Sequence, residues 1–184
     1  MTRHPAGRPF ISICLAVALS AFSLMARADD ATVARGKYLV TISGCSDCHT
    51  PGYFIGHPEM ARYLGGSNVG FAIPGLGVFV APNLTPDKET GLGNWTPEQI
   101  VTAITTGVRP DGRVLVPIMP WQSFAHLTPA DAMAIAEYLE SLPPVRNKVA
   151  GPFGTSTVPN VLVMAVLPGE LYATLPKPKP PSRE

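Results

Sequence analysis

The stretch Cys45-Ser46-Asp47-Cys48-His49 is the most informative part of this chain. Two thiols lie three positions apart, and an imidazole directly follows the second thiol. Each cysteine can add to one vinyl group of a protoporphyrin ring as a thioether, and the histidine then lies beneath the ring with a nitrogen directed at the iron. The stretch therefore predicts one covalently bound haem, attached through Cys45 and Cys48, with His49 as an iron ligand.

The first 28 residues have the pattern of a secretory signal peptide. Arg3 and Arg8 precede an apolar run from Phe10 to Met25, and small residues suit cleavage between Ala28 and Asp29. The alternative is a retained membrane anchor, but the apolar run falls short of the ~20 residues that span a bilayer. We therefore expect cleavage near Ala28 and no membrane span in the mature protein.

Removal of this signal peptide accounts for the third cysteine. Cys14 lies inside the apolar run and leaves with it, while Cys45 and Cys48 would be consumed by haem, so no free thiol or disulfide is expected. Since c-type haem attachment in bacteria takes place outside the cytoplasm, the predicted compartment is the periplasm.

Two other uses of a Cys-x-x-Cys pair fit the sequence less well. A thioredoxin-like redox pair normally opens a helix after a strand in a βαβ unit. A zinc site would need two further Cys or His ligands, and the mature chain retains only His57 and His126 besides His49. Haem attachment is therefore the preferred interpretation.

The charge of the mature chain argues against a nucleic-acid partner. The 184 residues include 14 basic and 13 acidic side chains. The signal peptide removes three arginines and no acid, which leaves 11 basic and 13 acidic residues and a formal net charge of −2. A slightly acidic chain without a basic patch gives no sign of nucleic-acid binding.

Three helices are predicted around the haem motif. The apolar spacing predicts a short helix from Asp30 to Ile42, in which Gly36 is unfavourable and indicates either close packing or mere tolerance. Capping patterns at Thr96-Pro97-Glu98-Gln99 and Thr128-Pro129-Ala130-Asp131 begin two further helices. The last of them ends before a pair of prolines.

The remaining segments are rich in glycine and proline. Residues 50–95 are expected to form a long loop along one side of the haem, and Gly70–Ile73 with Gly77–Val80 suit a small β-hairpin. Near the carboxyl end, the apolar segment Val161–Leu167 is too short to cross a membrane. We expect it to pack on the domain rather than to dock a partner.

Met119 is the preferred second ligand of the iron. It lies in Val116-Pro117-Ile118-Met119-Pro120-Trp121, where prolines stiffen the loop on either side. Other side chains that could ligate are Met60, Met133, Met164, His57 and His126. An open sixth position, as in a haem enzyme or gas sensor, is the remaining alternative. Methionine favours Fe(II) and fills the position, so the His49 and Met119 pair predicts an electron carrier with no catalytic residue.

The chain resembles class I cytochromes c over roughly residues 31–145. The stretches that carry the resemblance are Gly36-Lys37-Tyr38-Leu39, Gly44–Pro51, Met119-Pro120-Trp121 and Tyr138–Pro144. Three more stretches resemble the cytochrome c subunits of bacterial periplasmic or membrane-associated alcohol, gluconate and aldehyde dehydrogenases, namely Pro82–Asp87, Thr90–Trp95 and Gly107–Gly112.

The resemblance implies an all-α fold in which the first and last helices cross around one haem. It implies that Gly36, with Tyr38 or Leu39, packs against the last helix at Ala134, Tyr138 and Leu139. It also implies that two side chains bind the haem propionates; these are Trp95 and Arg109. The expected organisation is a signal peptide at 1–28, a cytochrome c domain at 29–147 and a Pro-rich extension at 148–184.

The expected partners are redox proteins. The resemblance implies a dehydrogenase as electron donor and another cytochrome or a terminal oxidase as acceptor. Many such dehydrogenase subunits carry three haem motifs and a membrane anchor, whereas this sequence has one motif. It could therefore be a freestanding carrier or a haem subunit dedicated to one dehydrogenase.

Overall fold

The computed structural model describes residues 30–176. The predicted signal peptide at 1–28 and the residues 177–184 lie outside the described residues. The helices of the described range are α1 (30–42), α2 (Cys45–His49), α3 (Pro97–Thr106), α4 (Trp121–Phe124), α5 (Pro129–Ser141) and α6 (Gly169–Thr174). The strands are β1 (Val69–Ile73), β2 (Gly77–Val80) and β3 (Leu162–Met164). Within residues 30–176, every helix is too short or too polar to cross a membrane.

The two capped helices begin where the sequence predicts. The Thr96 hydroxyl accepts a hydrogen bond from the Gln99 N–H at 3.3 Å, and the Gln99 side chain accepts one from the Thr96 N–H at 2.9 Å. This reciprocal capping box opens α3 with proline in its first turn. At α5 the Thr128 hydroxyl accepts from the Asp131 N–H at 3.1 Å. Both predicted starts are confirmed.

Helix α1 crosses helix α5 at Gly36. A Cβ atom at this position would overlap the carbonyl oxygen of Ala134 and come within 2.7 Å of the Tyr138 Cβ. The glycine therefore serves close helix packing, which is one of the two explanations that its position in the sequence allows. The crossing that the resemblance implies is present.

A core cluster fills the space between α1, α3 and α5. Its buried members are Leu39, Val40, Leu64, Ile100, Ile135, Ala136, Tyr138 and Leu139. Of the two candidates on α1, Leu39 enters this core, whereas Tyr38 is exposed and lies under the guanidinium of Arg35. Cys45 of α2 packs against this core, which thereby supports the haem motif.

A small three-stranded sheet accompanies the helices and contains the predicted hairpin. Strands β1 and β2 form the predicted antiparallel hairpin, with Phe71 opposite Phe79. Strand β3 pairs in parallel with the other edge of β1, so the strand order is β2-β1-β3. The third strand was not predicted because its partner lies far away in the sequence.

The apolar segment Val161–Leu167 packs through its backbone. Its strand β3 is hydrogen-bonded to β1, but Leu162, Val163 and Met164 keep their side chains exposed. The expected packing on the domain is therefore present as strand pairing and not as burial of apolar side chains. Phe153 also exchanges two backbone hydrogen bonds with Val78, each 2.9 Å long.

Candidate haem site

Helix α2 carries the attachment motif on one face. Cys45, Cys48 and His49 are spaced by three and four positions, so their side chains lie on the same side of the helix. Both thiols are half-buried and free, and His49 is buried. The short helix thus presents two thiols and one imidazole to the same space.

The His49 ring is oriented by the loop before α3. Its Nδ1 lies 2.7 Å from the carbonyl oxygen of Pro82. A carbonyl oxygen can only accept a hydrogen bond, so Nδ1 carries the proton and Nε2 has its lone pair free. Burial lowers the pKa of His49, although the bond to Pro82 opposes this effect. The imidazole is therefore neutral and suited to bind iron through Nε2.

Gly66 packs closely against the same loop. Its N–H donates to the carbonyl oxygen of His49 at 2.8 Å. A Cβ at Gly66 would lie 3.1 Å from the Asn83 nitrogen and 3.3 Å from the Pro82 carbonyl carbon. Gly66 also has a φ of 98°, which side chains rarely adopt. Only glycine fits here without strain, and it packs directly on the peptide that holds His49.

The two thiols differ from a reactive cysteine pair. Burial raises the pKa of Cys45 to about 11, and burial also raises the pKa of Cys48. Redox-active cysteines have lowered pKa values instead. Within residues 30–176, moreover, the His, Cys, Asp and Glu side chains form no cluster of three or more that could hold a metal ion. The donor set fits a covalently held haem better than a redox pair or a zinc site.

Met119 lies at the end of a turn that precedes α4. Its N–H donates to the Val116 carbonyl at 3.0 Å, and the Trp121 N–H donates to the Met119 carbonyl at 2.8 Å. The residue is half-buried. These bonds fix its backbone but do not connect it with His49, so ligation by Met119 stays a prediction.

The other candidate ligands are spread over the surface and α5. Met60 and Met164 are exposed, and so are His57 and His126. Met133 is half-buried on α5.

Trp95 and Arg109 lie together, as expected if both serve one subsite. The Arg109 guanidinium carbon lies 5.2 Å from the centre of the Trp95 ring, a cation–π contact. The sequence did not point to Asp111, whose carboxylate accepts from Arg109 at 3.3 Å. A bond from the Arg113 N–H, and then Arg109, lower the pKa of Asp111, so this carboxylate is ionised near neutral pH. Contact of Trp95 and Arg109 with propionates stays a prediction.

A buried polar group next to Pro82 was also missed. Asn83 and Thr85 are 1% and 0% exposed, respectively, although polar residues in a Gly/Pro-rich loop are normally near water. Both side chains are hydrogen-bonded to the backbone of Val145, which follows α5. In the sequence, these two residues belong to the stretch Pro82–Asp87, which resembles dehydrogenase cytochrome subunits. That resemblance assigned no structural role to Asn83 or Thr85.

Comparison with known proteins agrees with this geometry. Residues 33–143, more than half of the chain, match the sequence model of the family described as Cytochrome c. The cytochrome c subunit of a quinone-dependent alcohol dehydrogenase from Gluconobacter oxydans is 37% identical over 119 residues, which are 64% of this chain and 23% of that protein.

Two further relatives are also cytochrome subunits. The fructose dehydrogenase cytochrome subunit of Gluconobacter japonicus is 35% identical over 59% of this chain and 21% of its own length. The gluconate 2-dehydrogenase cytochrome c subunit of Pantoea cypripedii is 35% identical over 67% of this chain and 27% of its own length. This chain thus spans about a quarter of the curated relatives it matches. The match over residues 33–143 shows that the chain belongs to the cytochrome c family.

Proposed function

We propose that this chain is a periplasmic, monohaem c-type cytochrome that carries single electrons from a dehydrogenase to a further cytochrome or a terminal oxidase. The observation that carries the proposal is the state of His49. It is buried and directly follows the second of two thiols, its Nδ1 proton is bonded to the Pro82 carbonyl, and its Nε2 lone pair is free. One attachment motif in the sequence supports a single haem, and the signal-peptide pattern at 1–28 supports export.

Each site residue has a distinct role in this proposal. Cys45 and Cys48 would hold the haem as thioethers, and His49 and Met119 would bind its iron. When bound, the haem supplies an iron that gains and loses one electron. The thioether of Met119 favours the reduced state and so raises the reduction potential. Two protein ligands also leave no position where oxygen or peroxide could bind, which suits a carrier.

Trp95 and Arg109 would bind the haem propionates. The indole N–H can donate a hydrogen bond, and the guanidinium provides a positive charge that is only 21% exposed. Their cation–π contact holds the two side chains next to each other. Asp111 would partly offset the charge of Arg109.

The binding of carbon monoxide tests the carrier against a haem enzyme or gas sensor. Protein made with a c-haem maturation system is reduced at neutral pH and exposed to carbon monoxide. A carrier with His49 and Met119 on the iron should leave the visible spectrum unchanged on the time scale of minutes. Rapid formation of a carbon monoxide complex would contradict the proposal, because it requires an open or easily displaced sixth position.

A second candidate function is a haem subunit dedicated to one dehydrogenase. The three relatives described above favour it, since all of them are cytochrome subunits of dehydrogenases. Copurification with a dehydrogenase, lost on deletion of residues 155–184, would support a dedicated subunit that docks through its extension. An unaltered complex after this deletion would count against docking by the extension.

A further inference from the structure

A buried clasp joins the loop that holds His49 to the segment after α5. The Asn83 side-chain oxygen accepts from the Thr85 N–H at 2.9 Å and from the Thr85 hydroxyl at 2.7 Å. The Asn83 side-chain nitrogen donates to the Val145 carbonyl at 2.6 Å, and the Val145 N–H donates to the Thr85 hydroxyl oxygen at 3.0 Å. These three residues close a ring of hydrogen bonds.

Thr90 and Asn147 extend the clasp on its outer side. The Asn83 side-chain nitrogen also donates to the Thr90 hydroxyl at 3.1 Å, and the same hydroxyl accepts from the Asn147 N–H at 3.0 Å. The Asn147 side chain then donates to the Gly65 carbonyl at 2.7 Å. The segment after α5 is thereby tied to the loop on both sides of Pro82.

The central side chains of the clasp are buried and fully paired. Asn83 is 1% exposed and Thr85 is 0% exposed. In the part of the chain that the structure describes, every buried side-chain nitrogen and oxygen has a hydrogen-bond partner. Breaking one bond of such a network leaves a buried polar group unpaired, which is costly.

The clasp positions the Pro82 carbonyl oxygen, which accepts the hydrogen bond from His49. The Pro82 carbonyl and the Asn83 nitrogen belong to one planar peptide unit, so the position of Asn83 fixes the direction of the carbonyl. Gly66 packs on one side of this peptide, and the clasp holds its Asn83 end. This arrangement therefore positions the carbonyl oxygen that accepts the hydrogen bond from His49 Nδ1.

We propose that Asn83 and Thr85, anchored by Val145, are positioning residues that hold the Pro82 carbonyl on His49 and thereby lower the reduction potential of the bound haem. This inference rests on the proposed function, in which His49 binds the iron. A carbonyl that accepts from Nδ1 makes the imidazole a stronger electron donor at Nε2. A stronger donor stabilises Fe(III), so loosening the clasp should favour Fe(II).

The test compares Thr85→Val with Thr85→Ser. Valine has the shape of threonine but lacks the hydroxyl, which donates to Asn83 and accepts from Val145. Serine retains that hydroxyl and loses only a methyl group. Thr102→Val is the matched control, because Thr102 is exposed on α3 and its hydroxyl donates to the Glu98 carbonyl at 2.8 Å.

Two readouts separate positioning from simple stability. One is the Fe(III)/Fe(II) ratio with each protein poised at the wild-type midpoint potential. Thr85→Val should lower this ratio by about threefold or more, while Thr85→Ser and Thr102→Val stay close to the wild type. The other is the exchange rate of the His49 Nδ1 proton by NMR, which should rise only in Thr85→Val.

Loss of stability in Thr85→Val with both readouts unchanged would overturn the inference, since the clasp would then be merely structural. If Thr85→Val does not fold, Val145→Pro removes the N–H on the other side of the same hydrogen bond and must give the same shift. Haem content and the low-spin spectrum of the wild type are measured first. A wild type that takes up no covalent haem would overturn the proposed function itself, and the inference with it.

Discussion

At the scale of single residues, His49 uses its two ring nitrogens for different tasks. Nδ1 is committed to the Pro82 carbonyl at 2.7 Å, and this bond fixes both the tautomer and the ring orientation. Nε2 is therefore the nitrogen that the proposed haem would engage. The sequence identified His49 from its place after Cys48, but the carbonyl that orients it comes from a loop 33 positions away.

The charges at Arg109 and Asp111 should shift the reduction potential in opposite directions. Arg109→Gln removes a positive charge and should stabilise Fe(III), which lowers the potential. Asp111→Asn removes the negative charge that offsets Arg109 and should raise it. The effect of Arg109→Gln is expected to be on the order of 1 kcal/mol. That of Asp111→Asn should be smaller, because solvent screens the exposed carboxylate. Redox titration of both variants at low ionic strength checks the signs.

A shift of the same sign in both variants would show that charge is not the cause. Arg113→Gln is a suitable control, because Arg113 is an exposed arginine of the same loop, and its structural bonds to this loop are made by its backbone. Its effect on the potential should be smaller than that of Arg109→Gln, since exposed charges are screened by solvent.

At the scale of helices and strands, the crossing of α1 and α5 depends on Gly36. In Gly36→Ala the added methyl group meets the Ala134 backbone, so the helices must separate. We expect a loss of about 1–3 kcal/mol in the free energy of unfolding, even though alanine is the better helix former. Chemical denaturation of the haem-loaded protein measures it.

Gly169→Ala provides the matched control for this substitution. Gly169 is also in a helix, α6, but a Cβ there would meet no atom within 4 Å. Its stability should stay the same or rise slightly. Equal losses in the two variants would contradict the close-packing explanation for Gly36.

The same helix pair is joined by an ion pair whose contribution should depend on pH. Arg35 Nε donates to an Asp131 carboxylate oxygen at 2.8 Å, and this bond lowers the pKa of Asp131. A carboxyl group with a lowered pKa in the folded state stabilises the fold above its unfolded pKa. The stabilisation is then lost as the pH falls through the lower, folded-state pKa.

Asp131→Asn should therefore be less stable than the wild type at neutral pH. The difference should shrink as the pH falls below the ordinary aspartate range, because the wild-type carboxyl group then becomes protonated. Denaturation at a series of pH values measures this trend. In an Arg35→Gln background the dependence should weaken, and a difference that persists unchanged at the lowest pH would contradict an ion-pair origin.

Local signals predicted the elements well. Thr96 with Gln99, and Thr128 before Asp131, mark helix starts that involve residues only three positions apart. The hairpin between β1 and β2 is equally local, with a turn at Pro74-Gly75-Leu76. Such features depend on neighbouring residues alone, so a single sequence contains them.

Across the molecule as a whole, contacts between distant segments could not be predicted from the sequence. The parallel pairing of Val69 with Leu162 joins two distant segments, and neither has a pattern that specifies the other. The bond from Asn83 to Val145 spans 62 positions and uses a backbone carbonyl, which has no side-chain signature. The residues that carry chemistry were predictable from their type and spacing, whereas those that position them were not.

In the proposed function, His49 and Met119 would both bind the iron of one covalently attached haem. The most direct measurement is the visible spectrum of the oxidised and reduced protein, for the wild type, Met119→Ala and the control Met60→Ala. The wild-type spectrum should be low-spin and should show the weak charge-transfer band of methionine bound to Fe(III). Met119→Ala should lose this band, and Met60→Ala should retain it. A high-spin wild type, or a Met119→Ala spectrum that matches the wild type, would contradict the claim.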